Sequence, residues 1–378
     1  MKLIHLADLH IGKRVNEFSM IEDQKYILLK ILNIIDDEKP DAVLISGDVY
    51  DKSVASVQAV EVFDKFVNSL AERRVETFII SGNHDSAERM AFASKLIDNS
   101  GIHISPVFNG EVKPFVLNDE YGTVNVYMLP FIKPVNVKLA YGIEDNIGYS
   151  DAVETAIEHM KVNKDERNVI LSHQFVTGAS KCDSEDIFVG GTDGVSASVY
   201  DVFDYVALGH LHSPQKAGRE TVRYAGTPLK YSFSEINHHK SVTVVEMGEK
   251  GDASIRIVDL VPKRDMKEIK GTYDELMLKS YYENLNLDDY YHIILTDEDD
   301  VPNAMSKLRN VYKNIMKLDY DNTRTRNNQN VTADEDVQNK SPIELVSELF
   351  YMQNGNELSK EQRDYLNAVI EKIWEEQE

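Results

Sequence analysis

The chain is nearly without cysteine. Cys182 is the single one in 378 residues, which excludes an intramolecular disulfide framework and fits a reducing compartment, so a cytoplasmic location is expected. No motif surrounds Cys182, and it reads as a surface or loop thiol rather than a nucleophile. Long apolar runs are missing too. Nothing approaches the about 18 consecutive apolar residues of a membrane span, so no membrane role is expected. No secretory signal precedes the first apolar run. A phosphate loop of the G-x-x-x-x-G-K-[ST] kind is absent, so any ATP dependence must come from another chain. Positive charge is short as well: 41 Lys and Arg stand against 64 Asp and Glu, a net charge of −23. That balance alone argues against a free-standing nucleic-acid binder, because phosphate contacts need Lys and Arg. Bound divalent cations would change the argument, since clustered carboxylates then become ligands and the ions supply local positive charge. A basic partner subunit would act the same way.

What is present is a repeated event. Residues 78–86 read F-I-I-S-G-N-H-D-S, an apolar run that stops in Gly82 and is followed by Asn83, His84 and Asp85. K-L-I-H-L-A ends in Asp8 and His10, A-V-L-I-S-G in Asp48 and Asp51, N-V-I-L-S in His173, and Y-V-A-L-G in His210 and His212. Short runs rich in Val, Ile and Leu read as strands buried on both faces. Helical patterns lie between the first three. One carries Ile27, Leu28, Ile31, Leu32 and Ile35, the other Val60, Phe63, Val67 and Leu70. Alternating strands and helices imply βαβ units, whose sites lie at the carboxyl ends of the strands, so all five clusters are expected along one sheet edge. By strand periodicity Asp8 and His10 point the same way, as do His210 and His212, and each pair could grip one ion. Imidazole, carboxylate and amide without thiolate favour Mn²⁺, Fe or Zn²⁺ in an open site. The ligands are too many for one tetrahedral ion. Two ions sharing a carboxylate is the economical solution, and that arrangement splits phosphate esters.

Further along, residues 255–320 alternate strand and helix as a small α+β unit with no ligand cluster. Residues 321–341 are polar and read as a flexible linker. Ser341-Pro342 with Glu344 starts a helix. In a second helix Leu366, Val369, Ile370, Ile373 and Trp374 form one apolar stripe, suited to docking a partner or to folding back on its own domain.

Asp8-x-His10, Gly47-Asp48-x-x-Asp51, Gly82-Asn83-His84-Asp85, His173 and Gly209-His210-x-His212, in this order, resemble the calcineurin-like metallophosphoesterases. Within them M-K-L-I-H-L-A-D-L-H-I-G, G-N-H-D-S-A-E-R and A-L-G-H-L-H resemble the bacterial SbcD-type nuclease subunits. The resemblance implies an α/β fold: a metallophosphoesterase β-sandwich core flanked by helices over 1–250, a capping α+β domain over 255–320, the linker 321–341, and a helical partner-docking tail over 342–378. It implies one metal on Asp8, His10, Asp48 and His212 and a second on Asp48, Asn83, His173 and His210, with Mn²⁺ favoured. Gly47 would leave room for the ions. His84, left over, would protonate the leaving oxygen or stabilise the transition state, Asp51 would orient it, and Asp85 would fix the turn. The activity implied is double-strand 3′→5′ exonuclease and single-strand or hairpin endonuclease, on DNA, with an SbcC-like coiled-coil ATPase as partner and pairing into a homodimer.

His5 reads as packed beside the site and not as a ligand; His103, His159, His238, His239 and His292 read as structural or solvated. G-G-T-D-G-V at 190–195 is a connector or a phosphate contact. The segment from Tyr224 to Glu235 is expected along the site rim, with a substrate-seating role on resemblance alone. Two other functions fit the same core, a small-molecule phosphodiesterase or phosphatase and a scaffold for an ATPase dimer.

Overall fold

The computed structural model describes residues 1–92, 98–179, 194–328 and 341–375. Cys182 and residues 190–193 lie outside them. The chain divides into two units, Met1–Asp265 and Met266–Glu378.

The first unit is a sandwich of two six-stranded sheets. One runs, edge to edge, Ala253–Asp259, Ser241–Met247, Lys2–Leu6, Ala42–Ser46, Glu76–Ile80 and Ile102–Ile104. Its last four strands are parallel, and its first two are antiparallel additions. The other sheet runs Gln215–Ala217, Arg219–Tyr224, Tyr205–Gly209, Arg167–His173, Gly122–Leu129 and Phe115–Asp119. Leu3, Leu44 and Phe78 of the first sheet meet Val126, Leu171 and Ala207 of the second in one buried core. The second sheet also buries its other face. There Ile170, Val206 and Leu208 cluster with Val153, Ala156 and Ile157 of the helix Tyr149–Met160. Strands covered on both faces have no use for polar alternation, which is why they read as unbroken apolar runs.

The helix Ile21–Glu38 buries Ile27, Leu28, Ile31, Leu32 and Ile35, the stripe expected from the sequence. Val57–Glu72 does so less faithfully. Its buried face is Ala59, Val62, Phe63, Phe66 and Leu70, whereas Val60 is exposed. The Ser56 hydroxyl caps its start, accepting from Ala59 N at 3.2 Å. That register turns the bulky Phe66 inward in place of Val60 and Val67.

The strand expected to open the second region belongs to the first. Ala253–Asp259 pairs along its whole length with Ser241–Met247. A tight turn enforces this: Gly248 N donates to Asp252 O at 2.9 Å, and Gly251 takes φ +85°. A hairpin closed so locally outcompetes pairing with a more distant strand. Two ion pairs then hold the end of this unit, Arg264 with Asp23, and Lys230 with Asp265 at 2.8 Å.

The second unit has a three-stranded parallel sheet, Met266–Gly271, Tyr290–Leu295 and Asn314–Tyr320, with Leu276, Ile293, Leu308 and Tyr312 in its core. Thr323–Asn328 is helical, within the stretch expected to be linker. Buried Asn322 secures that helix. Its side chain accepts from Thr325 N at 3.0 Å and donates to Asp297 O at 3.0 Å. Pro342–Asn354 begins at the expected cap, with Ser341 and Glu344 in a reciprocal capping box. In Lys360–Glu375 the side chains of Leu366, Val369 and Ile370 are half-buried, and those of Ile373 and Trp374 lie outside the described residues. No described helix is long and apolar enough to cross a membrane.

His5 is fully buried, with Nδ1 2.8 Å from the Tyr205 hydroxyl. Burial pushes its pKa from 6.5 down to about 3. Between those values the unfolded chain binds the extra proton, so stability rises with pH across that window and is complete above it. Urea unfolding in EDTA should therefore show a loss as pH falls from 6.5 towards 3, and His5→Gln should remove part of that slope.

Candidate metal centre

The strands Lys2–Leu6, Ala42–Ser46 and Glu76–Ile80 come from one sheet, and Arg167–His173 and Tyr205–Gly209 from the other. The ligand-bearing ends therefore meet across the sandwich and not along one sheet edge. Their junction is strained. Asp8, His10, Asp48 and His210 have φ of 53°, 43°, 49° and 109°. Left-handed backbone costs a non-glycine residue about 1–3 kcal/mol and persists only where surroundings force it. Here the forcing is visible: Asp8 N donates to Gly47 O at 3.0 Å and His10 N to Asp48 O at 2.9 Å.

Both pairs leave strand geometry, so the period-two expectation does not govern where their side chains point. One cluster of potential ligand atoms, all within 4.8 Å, is Asp8, Asp48 and His173; the other is His10, Asp48 and His84. Asp48 belongs to both. His210 and His212 face different neighbours. His210 Nδ1 lies 3.0 Å from Asn83 Oδ1, which is also 2.9 Å from His173 Nε2, whereas the His212 ring packs 5.1 Å from that of His10.

Three glycines make this convergence possible. A Cβ on Gly47 would strike the His173 ring, one on Gly82 the Asp48 carboxylate, and one on Gly209 the Ser46 carbonyl. Gly47 thus makes room for the His173 ring and the Gly82 backbone. Asp85 ties two of the turns together. Its carboxylate accepts from Gly82 N at 2.9 Å, Tyr50 N at 2.9 Å and Val49 N at 3.1 Å, the turn-fixing part expected of it.

The electrostatics call for a cation. Burial alone would raise the Asp48 carboxyl, but the His173 imidazole 3.3 Å away outweighs it and holds Asp48 ionised. Burial would lower His173, yet Asp48 and then Asp8 prevail and push it up to about 9. A proton on His173 thus does for the metal-free protein what a cation would do. His10 gives the sharper sign: it is 1% exposed, and among the described residues neither of its ring nitrogens has a hydrogen-bond partner. Leaving such a buried group unsatisfied costs about 1–3 kcal/mol. A ligand atom aimed at an ion resolves that cost, and the mixed imidazole, carboxylate and amide donors suit divalent metals.

His84 Nδ1 lies 3.0 Å from the Asp51 main-chain carbonyl. The Asp51 carboxylate is engaged by Lys13 at 2.8 Å. The expected partner of His84 is thus Asp51, acting through its main-chain carbonyl. With Nδ1–H on a carbonyl, His84 presents Nε2, 3.9 Å from Asp48.

Two residues behind the site escaped sequence reading. Gln24 Nε2 donates to His10 O at 2.8 Å and to the Tyr231 hydroxyl at 2.9 Å, and its Oε1 accepts from Gly12 N. Glu235, fully buried, faces His212 Nδ1 at 3.3 Å. Tyr231 in turn donates to Leu9 O at 2.6 Å. Tyr231 and Glu235 of the 224–235 segment therefore lie buried behind the ligand loops, whereas Ser234 between them is exposed. The remaining histidines pair elsewhere. His103 sits between Asp98 and Glu76, His292 between Glu268 and Asp319, His159 stacks on Tyr141, His238 lies 4.0 Å from Glu235, and His239 is exposed.

Comparison with known proteins agrees with this geometry. The calcineurin-like phosphoesterase profile matches residues 1–214, more than half of the chain. The chain belongs to that family. The profile described as type 5 capsule protein repressor C-terminal domain matches residues 262–354. The SbcD component of the nuclease SbcCD from Staphylococcus epidermidis is 31% identical over 322 residues, covering 84% of this chain and 85% of the relative. Within the family, then, the protein is closely related to the SbcD nuclease subunits. Two solved structures align more distantly. One, from Thermus thermophilus, is 12% identical over 69% of this chain and 99% of its own, with a TM-score of 0.41. The other, a dimetal phosphatase from Danio rerio, is 11% identical over 69% and 96%, with a TM-score of 0.43. Family and clusters together make this a metal-dependent phosphoesterase with two divalent-metal clusters.

Replacing His10 by Leu removes an unsatisfied buried imidazole. Its melting temperature in EDTA should equal or exceed that of the wild type, while the rise on adding Mn²⁺ should shrink. A wild-type response to Mn²⁺ would show that His10 holds no metal. Gly209→Ala drives a methyl group into a backbone carbonyl and should lower stability by about 1–3 kcal/mol or more, read from urea midpoints.

Proposed function

We propose that the protein is the Mn²⁺-dependent DNA nuclease subunit of a complex with an SbcC-like coiled-coil ATPase, acting in the cytoplasm. The observation that carries this reading is the pair of ligand clusters sharing Asp48, in a chain that aligns over most of its length with a nuclease subunit. Asp8, His10, Asp48 and His212 would hold one ion, and Asp48, Asn83, His173 and His210 the other. Two such ions would supply electrophilic activation of the phosphodiester and a nucleophile drawn from water at neutral pH. His84, its Nδ1 on the Asp51 carbonyl, delivers a proton from Nε2 to the leaving oxygen. The substrates are duplex ends, cut 3′→5′, and single strands or hairpins. The second unit serves as the DNA-facing domain, and the C-terminal helices dock the ATPase. With a chain of −23, the ATPase supplies most of the phosphate contacts. Two copies would pair through helices of the first unit, where Val57 at the start of Val57–Glu72 is more than half exposed.

The test is cleavage of end-labelled duplex and hairpin DNA in Mn²⁺, beside a generic phosphodiester, with and without the ATPase and ATP. DNA cleavage that rises with partner and ATP is expected. Turnover of the small ester alone, indifferent to the partner, would overturn the substrate. His84→Ala should lose cleavage by about 10²-fold or more while keeping both ions. Asp48→Asn should lose metal as well, by calorimetry. Activity surviving in both variants would overturn the site assignment.

A further inference from the structure

Glu235 ends the short turn Phe233–Glu235 and is fully buried. One carboxylate oxygen, Oε1, lies 3.3 Å from His212 Nδ1 and accepts from Tyr231 N at 3.3 Å. The other, Oε2, accepts from Lys240 Nζ at 2.6 Å. Lys240 Nζ also donates to the His212 carbonyl at 2.8 Å and to Thr227 Oγ1 at 2.7 Å. His212 is therefore held at two points, its ring by Glu235 and its main chain by Lys240.

An ionised carboxylate only accepts hydrogen bonds. The ring hydrogen of His212 consequently sits on Nδ1, and Nε2 carries the lone pair. A carboxylate behind a ligating imidazole fixes the tautomer and raises the basicity of the other nitrogen. The other side of the centre is built differently. His173 Nδ1 bonds the Ser46 carbonyl at 2.8 Å, a neutral acceptor. A buried Glu–Lys pair gives little net stability over apolar residues of the same volume. Its location against one imidazole of the centre gives it another use.

We propose that Glu235, bonded to Lys240 on its far side, is a positioning residue that sets the tautomer and orientation of His212, and so strengthens the binding of the ion held with His10 over that held with His173. This rests on the metal assignment under Proposed function.

The experiment is calorimetric titration of Mn²⁺ into EDTA-stripped, full-length wild-type, Glu235→Ala and Glu235→Gln proteins, each checked for folding by circular dichroism. Wild type should take up two ions with unequal affinity. Glu235→Ala should weaken the tighter one by about 10–100-fold and leave the weaker unchanged. Glu235→Gln, which preserves shape and one neutral acceptor, should fall between, and it decides the matter alone if the Ala variant does not fold. Folded variants that bind both ions as the wild type does, or that weaken both equally, would overturn the proposal and leave the metal assignment standing. A wild-type protein that takes up no Mn²⁺ would overturn both.

Discussion

The Asp48 carboxylate is the point on which the first unit turns. It is buried, common to both ligand clusters, and accepts a hydrogen bond from His84 N at 2.9 Å. Placing one charged group among His10, His84 and His173 demands that strands from two sheets end within a few ångströms of each other. The left-handed backbone at Asp8, His10, Asp48 and His210 follows from that demand, as do the three glycines whose Cβ positions are already filled. Such strain holds only when neighbouring hydrogen bonds over-determine it. Asp85 and the Gly47–Asp8 and Asp48–His10 main-chain bonds provide them.

Behind the ligand loops lies a second set of groups that bears no chemistry itself. Gln24 and Tyr231 grip the backbone of residues 9–12, and Glu235 with Lys240 grips His212. Neighbours of these residues, Asp23 and Lys230, anchor Arg264 and Asp265 at the end of the first unit. The loops that present the ligands and the exit of the chain from the first unit thus share supports. Rigid backing of this kind is what lets a metal site keep its geometry when ions come and go.

The negative charge of the chain, which argued at first against nucleic acid, takes another meaning at this site. Asp48 and Asp8 push the buried His173 imidazole up, so a proton and a cation compete for the same place. Carboxylates here are the means of collecting positive charge at one spot, and the local field then differs from the field of the whole chain.

The sequence by itself determined the candidate ligands, the strand ends that carry them and the stripe of the first helix. Each of these is written within a few residues, as an apolar run, a glycine and a polar side chain at fixed offset. Only tertiary structure decided that the strands divide between two sheets, that Asp8, His10 and His210 take left-handed backbone, and that His84 is held by the Asp51 carbonyl while the Asp51 carboxylate goes to Lys13. It also decided that Ala253–Asp259 completes the first sheet and that Phe66 displaces Val60 from the core. Glu235 stands 23 residues beyond His212, and no local pattern marks it. The physical reason is common to all of these. Periodicity and turn chemistry are local, whereas partner choice among buried polar groups and sheets is settled by which long-range contacts close without clash or an unsatisfied atom.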